Sequence, residues 1–424
     1  MKSRDELLSL YGRHVNAGLA RIFRLSSSAM EARSAGCLVY DQHGSPHLDC
    51  GGYCVFLLGH CHPHVVDAVV AAARWHPLST RMLFEGQVAE AAHALATLAP
   101  AGLQYVWFAS SGAEAVEATL KLCRLNGRRI VVAADNGFHG KTLGALSVSG
   151  RPRYRDPFAP LLEGIVHVPF GDAGAAEARL ASLPGPAAVL VEPVQSEGGV
   201  RIPPPGYLAD LRASCDRHGA LLVLDEVSTG LGRLGAWWGA DRDAVAPDIM
   251  IAGKALGGGV MPVSALVARP EVFEPLNRDP MLHTSTFGGS PIAAAAVIAT
   301  IETARELDVP RVAGELGAAL LAGIRDVVAR TAPWFVTDVR GCGLLLGIEC
   351  AQEHHAGELV LELLGRRVVV AHSLNDHRVV RLTPPAVLSP GESAWLLGAL
   401  EHALTVVAAR WPGPEAGSRQ RSTA

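Results

Sequence analysis

The sequence predicts an α/β fold: a parallel or mixed sheet covered on both faces, followed by a separate, smaller α+β domain. Short apolar runs such as AAVLVEP (187–193) and ALLVLDEV (220–227) show no polar alternation, as strands buried on both faces require. Segments with helical spacing separate them, which is the order that parallel strands with crossover helices need. After about residue 330 the pattern changes, and strands and helices mix without that regular alternation.

Taken in order, residues 1–35 read as a polar helix and a loop. CLVYDQHGSPHLDC (37–50) alternates around a His-Gly-Ser turn and predicts a hairpin. VVDAVVAAARWH (65–76) and EGQVAEAAHALATLAP (85–100) are helical, YVWFA (105–109) is a strand, and GAEAVEATLKLCRLNG (112–127) is a helix. The next strands are RIVVAA (129–134), GIVHVPF (164–170), AAVLVEP, ALLVLDEV and DIMIAG (248–253). An alanine-rich helix (292–307) and a second helical stretch to about 330 precede the mixed C-terminal part. The tail PGPEAGSRQRSTA (412–424) is expected to be disordered.

A net charge of −4 gives no general attraction to nucleic acid or acidic membranes. The first residues hold no apolar signal core and no run reaches spanning length, so a cytoplasmic protein is expected. The eight cysteines show no paired-spacing framework and are expected to be reduced. Cys50, Cys54, His60, Cys61, His62 and His64 lie close together, but their spacings match no common zinc pattern, and no metal is expected.

Four places carry chemistry. The chain has lysine only at positions 2, 121, 141 and 254, against 33 arginines among its 37 basic residues. Lys254 sits in the apolar, glycine-rich stretch DIMIAGKALGGGV (248–260). A salt-bridging cation there could equally be arginine; a lysine can also give up its proton and act as a nucleophilic amine, or simply be exposed on a glycine loop. Ser110, Ser111 and Gly112 follow a strand and open a strong helix, which suits either a phosphate or an ordinary serine cap. Asp225 ends an apolar strand, where α/β sheets place ligands. Phe138 and His139 follow another strand end, and the aromatic ring is either a stacking face or core. GLGRLG (230–235) formally matches a dinucleotide fingerprint, but no helix begins after it, so its glycines are read as shaping a loop. Phosphate loop, aromatic, strand-end aspartate and lysine, in that order, form the requirement list of pyridoxal 5′-phosphate.

With these pieces in place, the chain resembles the class III aminotransferases, a fold-type-I family dependent on that cofactor. FASSGAEAVEATLKLCR, FHGKTLGALSVSG, VEPVQSEGGV, LDEVSTGLGRLG, AGKALGGGVMPVSA and TSTFGGSPIAAAAV occur in family order, among nine such motifs between residues 8 and 408. The resemblance implies a mixed, mostly parallel seven-stranded sheet in a large domain spanning 63–325. The small α+β domain would combine residues 1–62 with 326–411. It further implies that Lys254 binds the cofactor and shuttles a proton, and that Asp225 keeps the pyridine nitrogen protonated. Val227 and Phe138 would pack on the two ring faces with His139 alongside, while Ser111, Gly112 and Ala113 hold the phosphate. Thr286 would reach the phosphate of a partner subunit, which implies a homodimer with shared sites. Glu197 and Arg381 match the family's switch pair, the arginine binding a substrate α-carboxylate and the glutamate covering it otherwise. By the same analogy Tyr53, Phe56 and residues 74–82 line the substrate wall.

Three positions depart from the family. Ser228 replaces a glutamine that reaches the cofactor's phenolic oxygen, and is too short for that contact without a bridging water. Ser196 replaces the glycine of Gln-Gly-Glu, and Ser290 the asparagine of Asn-Pro. Strings such as GGYCVFLLGH, IPPPGYL and MLHTSTFGGSP resemble the family's putrescine-type members. The expectation is a ping-pong transaminase acting on a primary amine or amino acid, of diamine or ω-amine type, with glutamate and 2-oxoglutarate as co-substrates. Alternatives are an aminotransferase of specialised metabolism acting on an aldehyde or ketone intermediate, an ornithine or acetylornithine type, and a racemase, epimerase or aminomutase on the same fold.

Overall fold

The computed structural model describes residues 2–26, 29–331, 333–411 and 413. The tail expected to be disordered lies outside these, apart from Gly413. The N-terminal 35 residues correct the expectation of one helix and a loop. They form two helices, Arg4–His14 and Ala17–Ser26, and then strand β1, Glu31–Ala35. The first helix closes on a capping box, in which the Ser3 hydroxyl accepts from Glu6 N–H and the Glu6 carboxylate accepts from Ser3 N–H. β1 pairs antiparallel with β2 (Leu38–Asp41), which forms the predicted hairpin with β3 (Pro46–Asp49). Five polar or small residues, EARSA, give β1 no apolar face by which sequence could recognise it.

Seven strands build the large sheet: β4 Tyr105–Ala109, β5 Ile130–Ala134, β6 Ile165–Val168, β7 Ala187–Val191, β8 Leu221–Asp225, β9 Ile249–Ala252 and β10 Ser264–Ala268. Their order is β4-β10-β9-β8-β7-β5-β6. β10 runs antiparallel to both of its neighbours, and the other pairs are parallel. Every residue of β7, β8, β9 and β10 is buried, which is why those runs are continuously apolar. The reversed strand, SALVA, is not among the strands expected from sequence. It is short and alanine-rich, and only its position between β4 and β9 makes it a strand.

The parallel strands end level with one another. Asp225 at the end of β8 sits opposite Ile251 of β9, and Val191 of β7 opposite Leu224. Ala109, Ala134, Val191, Asp225 and Ala252 therefore deliver the residues that follow them to one edge of the sheet, where α/β sheets bind ligands. Helix Gly112–Leu125 begins at that edge and buries Ala115, Val116, Thr119, Leu122 and Cys123 beneath it.

The C-terminal part holds β11 (Val336–Cys342), β12 (Leu345–Cys350), β13 (Val368–Val369), β14 (Ala371–His372) and β15 (Val379–Leu382). Four of them form an antiparallel sheet in the order β11-β12-β15-β14. β13 instead adds parallel to β3, so strands from both ends of the chain share one sheet. Helices Val309–Thr331 and Glu353–Gly365 pack against these strands, and Pro390–Arg410 packs on those two helices. Among the described residues no helix is long and apolar enough to cross a membrane.

Candidate active site

Lys254 follows β9 and is partly buried rather than fully enclosed. Its φ is 45°, a left-handed conformation that disfavours residues with a Cβ and clusters at functional positions. Lys254 Nζ donates a 2.5 Å hydrogen bond to Ser228 Oγ. The serine that departs from the family pattern thus meets the lysine directly.

A cavity of about 310 Å³ is lined by Lys254, Ser110, Ser111, Gly112, Val55 and the segment from Gly259 to Val263. Ser111 caps the helix that starts at Gly112: its Oγ accepts from Glu114 N–H at 3.3 Å, so the ordinary cap is present. The first N–H groups of a helix have no partner within it, and here they open on the same cavity as the lysine. Ala113 is the next residue of that first turn. Gly112 is closely packed: a Cβ there would lie 3.3 Å from Val227 Cγ1, and Val227 would have to give by a few tenths of an ångström. Gly259 has φ +74°, and a Cβ on it would come within 2.7 Å of the Phe56 ring.

Asp225 is buried, and each of its carboxylate oxygens accepts one hydrogen bond. Oδ2 accepts from His139 Nδ1 at 2.7 Å, and Oδ1 accepts from Val227 N–H at 3.1 Å. His139 is held from behind by its backbone N–H donating to Ser149 Oγ, while its Nε2 is buried with no protein partner. Phe138 is half-buried, and its backbone N–H donates to Glu192 Oε1 at 3.0 Å. Val227 lies against both Gly112 and Gly253.

Glu192 is a buried carboxyl beside these residues that sequence reasoning passed over. Burial pushes its carboxyl up to about 7; His139, the Phe138 N–H and Lys254 pull it down, and Asp225 pushes it further up. Its other oxygen accepts from Ser196 N–H at 3.3 Å. Glu192 is the first residue after β7, one step past the strand-end place that Asp225 takes on β8.

Glu197 and Arg381 are in contact, with Oε1 to Nη1 at 2.5 Å and side chains only 8% and 1% exposed. Burial pushes Glu197 up, but Arg381, Lys254 and the Leu374 N–H outweigh it and hold the carboxyl below the usual carboxylate range. Arg381 Nε is buried without a protein partner. β15 supplies the arginine and the loop after β7 supplies the glutamate, so the pair joins the small antiparallel sheet to the edge of the large one.

Tyr53 and Thr286, the latter expected to serve a partner subunit, do not line this cavity. Tyr53 is 72% exposed with φ 54°; its neighbour Val55 lines the cavity. Thr286 is exposed, and its carbonyl accepts from Arg81 Nη2, which also binds the Gly288 carbonyl at 2.6 Å. His60, from the cysteine–histidine cluster, is committed to structure: it pairs with Asp49 at 2.8 Å and stacks on Phe56 at 3.7 Å. GLGRLG is a sequence of turns, with Gly232 and Gly235 at positive φ; no helix begins directly after it, and the next is only a short 3-10 turn at Gly239–Asp243.

These residues fit a phosphorylated, ring-bearing aldehyde. A helix end suits the phosphate, glycines leave room beside it, an amine faces the same cavity, and a buried carboxylate stands at the adjacent strand end. The orphaned His139 Nε2 adds a polar atom in need of a partner.

The comparisons agree. The family Aminotransferase class-III matches residues 25–404. An ornithine aminotransferase from Toxoplasma gondii, a structure described as showing partial occupancy of the cofactor at its active site, is similar at 29% identity and TM-score 0.88, over 97% of this chain and 96% of that one. An (S)-enantioselective omega-transaminase from Thermomicrobium roseum is similar at 27% identity and TM-score 0.86, over 96% and 99%. The ornithine delta-aminotransferase of Plasmodium falciparum is similar at 27% identity and TM-score 0.81, again over 96% and 99%. The chain belongs to the class III aminotransferases, enzymes of fold type I whose cofactor is pyridoxal 5′-phosphate.

Proposed function

We propose that this aminotransferase takes its amino group from a primary amine remote from any carboxylate, of diamine or ω-amine type with putrescine as the model donor, and passes it to a carbonyl acceptor. Glutamate and 2-oxoglutarate serve as the carboxylate-bearing co-substrates. The observation that carries the reading is that Lys254 and the Ser110–Gly112 helix end line one cavity while Arg381 stands closed on Glu197. Two of the similar proteins are named for a delta-amino and an omega-amino transfer, which supports an amine of this kind.

When bound, pyridoxal phosphate supplies an electron sink that lets the substrate carbon release its proton. Lys254 holds the cofactor through its amine and then moves that proton at the substrate carbon, with Ser228 orienting Nζ. Asp225 presents a carboxylate to the pyridine nitrogen and is itself oriented by His139. Ser111, Gly112 and Ala113 hold the phosphate, and Val227 and Phe138 pack on the ring. Glu197 covers Arg381 for the amine and releases it for a carboxylate.

The same reading makes the protein a homodimer, Thr286 of each chain serving the partner's phosphate. Trp75, Met82 and Phe84, at 88%, 89% and 92% exposed, form an apolar stretch beside Arg81, the residue that anchors the Thr286 loop. Such a stretch is the kind that assembly covers. The domain division follows the sheets, with residues 63–325 as the cofactor-binding domain and the two chain ends, 1–62 and 326–411, meeting in the smaller one. Eight free cysteines support a cytoplasmic location.

The test is single-half-reaction spectroscopy on holoprotein with putrescine, other diamines, ornithine, glutamate and alanine added singly. Conversion of the cofactor's absorption to that of its amine form by diamines supports the reading. Conversion only by α-amino acids contradicts it.

A further inference from the structure

Ser196 is fully buried in the loop between Glu192 and Glu197. Its Oγ accepts from Arg381 Nη1 at 3.1 Å, and that same nitrogen meets Glu197 Oε1. A guanidinium NH₂ has two hydrogens, so both are engaged. On its other side the Ser196 hydroxyl lies 3.7 Å from Cys54 Sγ. The three groups form a chain in which Arg381 donates to Ser196 and Ser196 is free to donate to the sulfur.

The loop has little freedom to release this contact. Ser196 N–H donates to Glu192, Ser373 Oγ donates to the Ser196 carbonyl at 3.2 Å, and Leu374 N–H donates to Glu197 Oε2 at 2.8 Å. Asn375 N–H donates to the Glu197 carbonyl at 2.8 Å. A glycine at this position, as in the family pattern, would offer Arg381 no hydroxyl.

We infer that Ser196 is a second latch on Arg381, a positioning residue that sets specificity toward amines whose reacting carbon bears no carboxylate. A substrate carboxylate takes Arg381 only after Glu197 leaves. Ser196 still occupies one Nη1 hydrogen at that point, so a carboxylate meets an arginine whose orientation Ser196 fixes and whose Nη1 has one hydrogen left to give. An amine without a carboxylate displaces neither group. Cys54 strengthens the latch. A Ser196 hydroxyl that donates to Cys54 Sγ keeps its lone pairs turned to Arg381 Nη1, and that donation makes the oxygen a better acceptor for the guanidinium.

The inference rests on the proposed amine-donor reading and is tested on holoprotein. Half-reactions with glutamate and with n-butylamine are compared for wild type, Ser196→Gly and Ser196→Ala. Losing one hydrogen bond to a charged group raises the glutamate-to-butylamine ratio of kcat/KM about tenfold in both variants, mainly through KM. Glutarate, a dicarboxylate with no amino group, binds about tenfold tighter to both by calorimetric titration. Cys54→Ala moves the same ratio in the same direction by a smaller factor. An unchanged ratio and unchanged glutarate affinity in Ser196→Ala overturn the latch. A shift confined to Ser196→Gly overturns it too, since side-chain volume rather than the hydroxyl would then be responsible. Failure of wild type to react with any amine lacking a carboxylate would instead sink the donor reading, and glutarate affinity would still judge the latch.

Discussion

Replacing Arg381 by methionine, alone and together with Glu197→Gln, isolates the buried pair on which substrate choice is proposed to turn. Arg381 is 1% exposed and contacts Glu197 and Ser196; among the described residues Glu197 keeps only the Leu374 N–H as a further direct donor. Arg381→Met strands a carboxylate whose side chain is only 8% exposed. Breaking one side of a buried pair costs about 3–5 kcal/mol, and the nearby Lys254 charge places the expected loss near the lower end. Removing both partners leaves no uncompensated charge, so the double variant should lie within about 1 kcal/mol of wild type. The pH dependence has a definite sign. The folded-state pKa of Glu197 is depressed, so its contribution is present above the unfolded value of 4.5 and disappears as pH falls through the folded value. The gap between wild type and Arg381→Met is therefore full at pH 7 and narrows on acidification, as Glu197 takes a proton in the variant. Scanning calorimetry of wild type, both single variants and the double variant at neutral and acidic pH reads this out. Additive single effects, or a gap that does not change with pH, would refute the reasoning.

Two further outcomes follow from the strand-end carboxylates. Asp225→Asn keeps the size and an acceptor for His139 but removes the charge, and should slow the half-reaction with any donor at least about hundredfold, measured by stopped-flow absorbance; a loss under tenfold would contradict its role. Glu192 has a folded-state pKa raised from 4.5 to about 7, so the stability it contributes is complete below pH 4.5 and is lost as pH rises through about 7. Wild type should then lose about 3 kcal/mol relative to Glu192→Gln between those limits, seen as diverging thermal midpoints, and parallel midpoints would argue against a buried protonated carboxyl.

The sequence was most legible where burial is two-sided. The continuous apolar runs of β7, β8 and β9 could be little else than central strands, and the residues after them had to fall at one sheet edge. Polar β1 and alanine-rich β10 were not legible, because each owes its conformation to a neighbouring strand rather than to its own pattern. In the site, residue types pointed to Lys254, Asp225 and the Ser111 cap, but not to their contacts. That Ser228 meets Lys254, and that Ser196 meets Arg381, depends on side chains 26 and 185 residues apart in sequence. Glu192 escaped notice because a glutamate before a proline has no distinctive spacing, and only the fold places it among His139, Asp225 and Lys254.

The account stands or falls on Lys254 as the cofactor's attachment point, and the chain's four lysines make this sharply measurable. Holoprotein reduced with borohydride, digested and mapped by mass spectrometry should carry the cofactor's mass on the peptide containing Lys254, and Lys254→Ala should carry none. Stoichiometric label on Lys2, Lys121 or Lys141, or normal turnover by Lys254→Ala, would contradict the assignment.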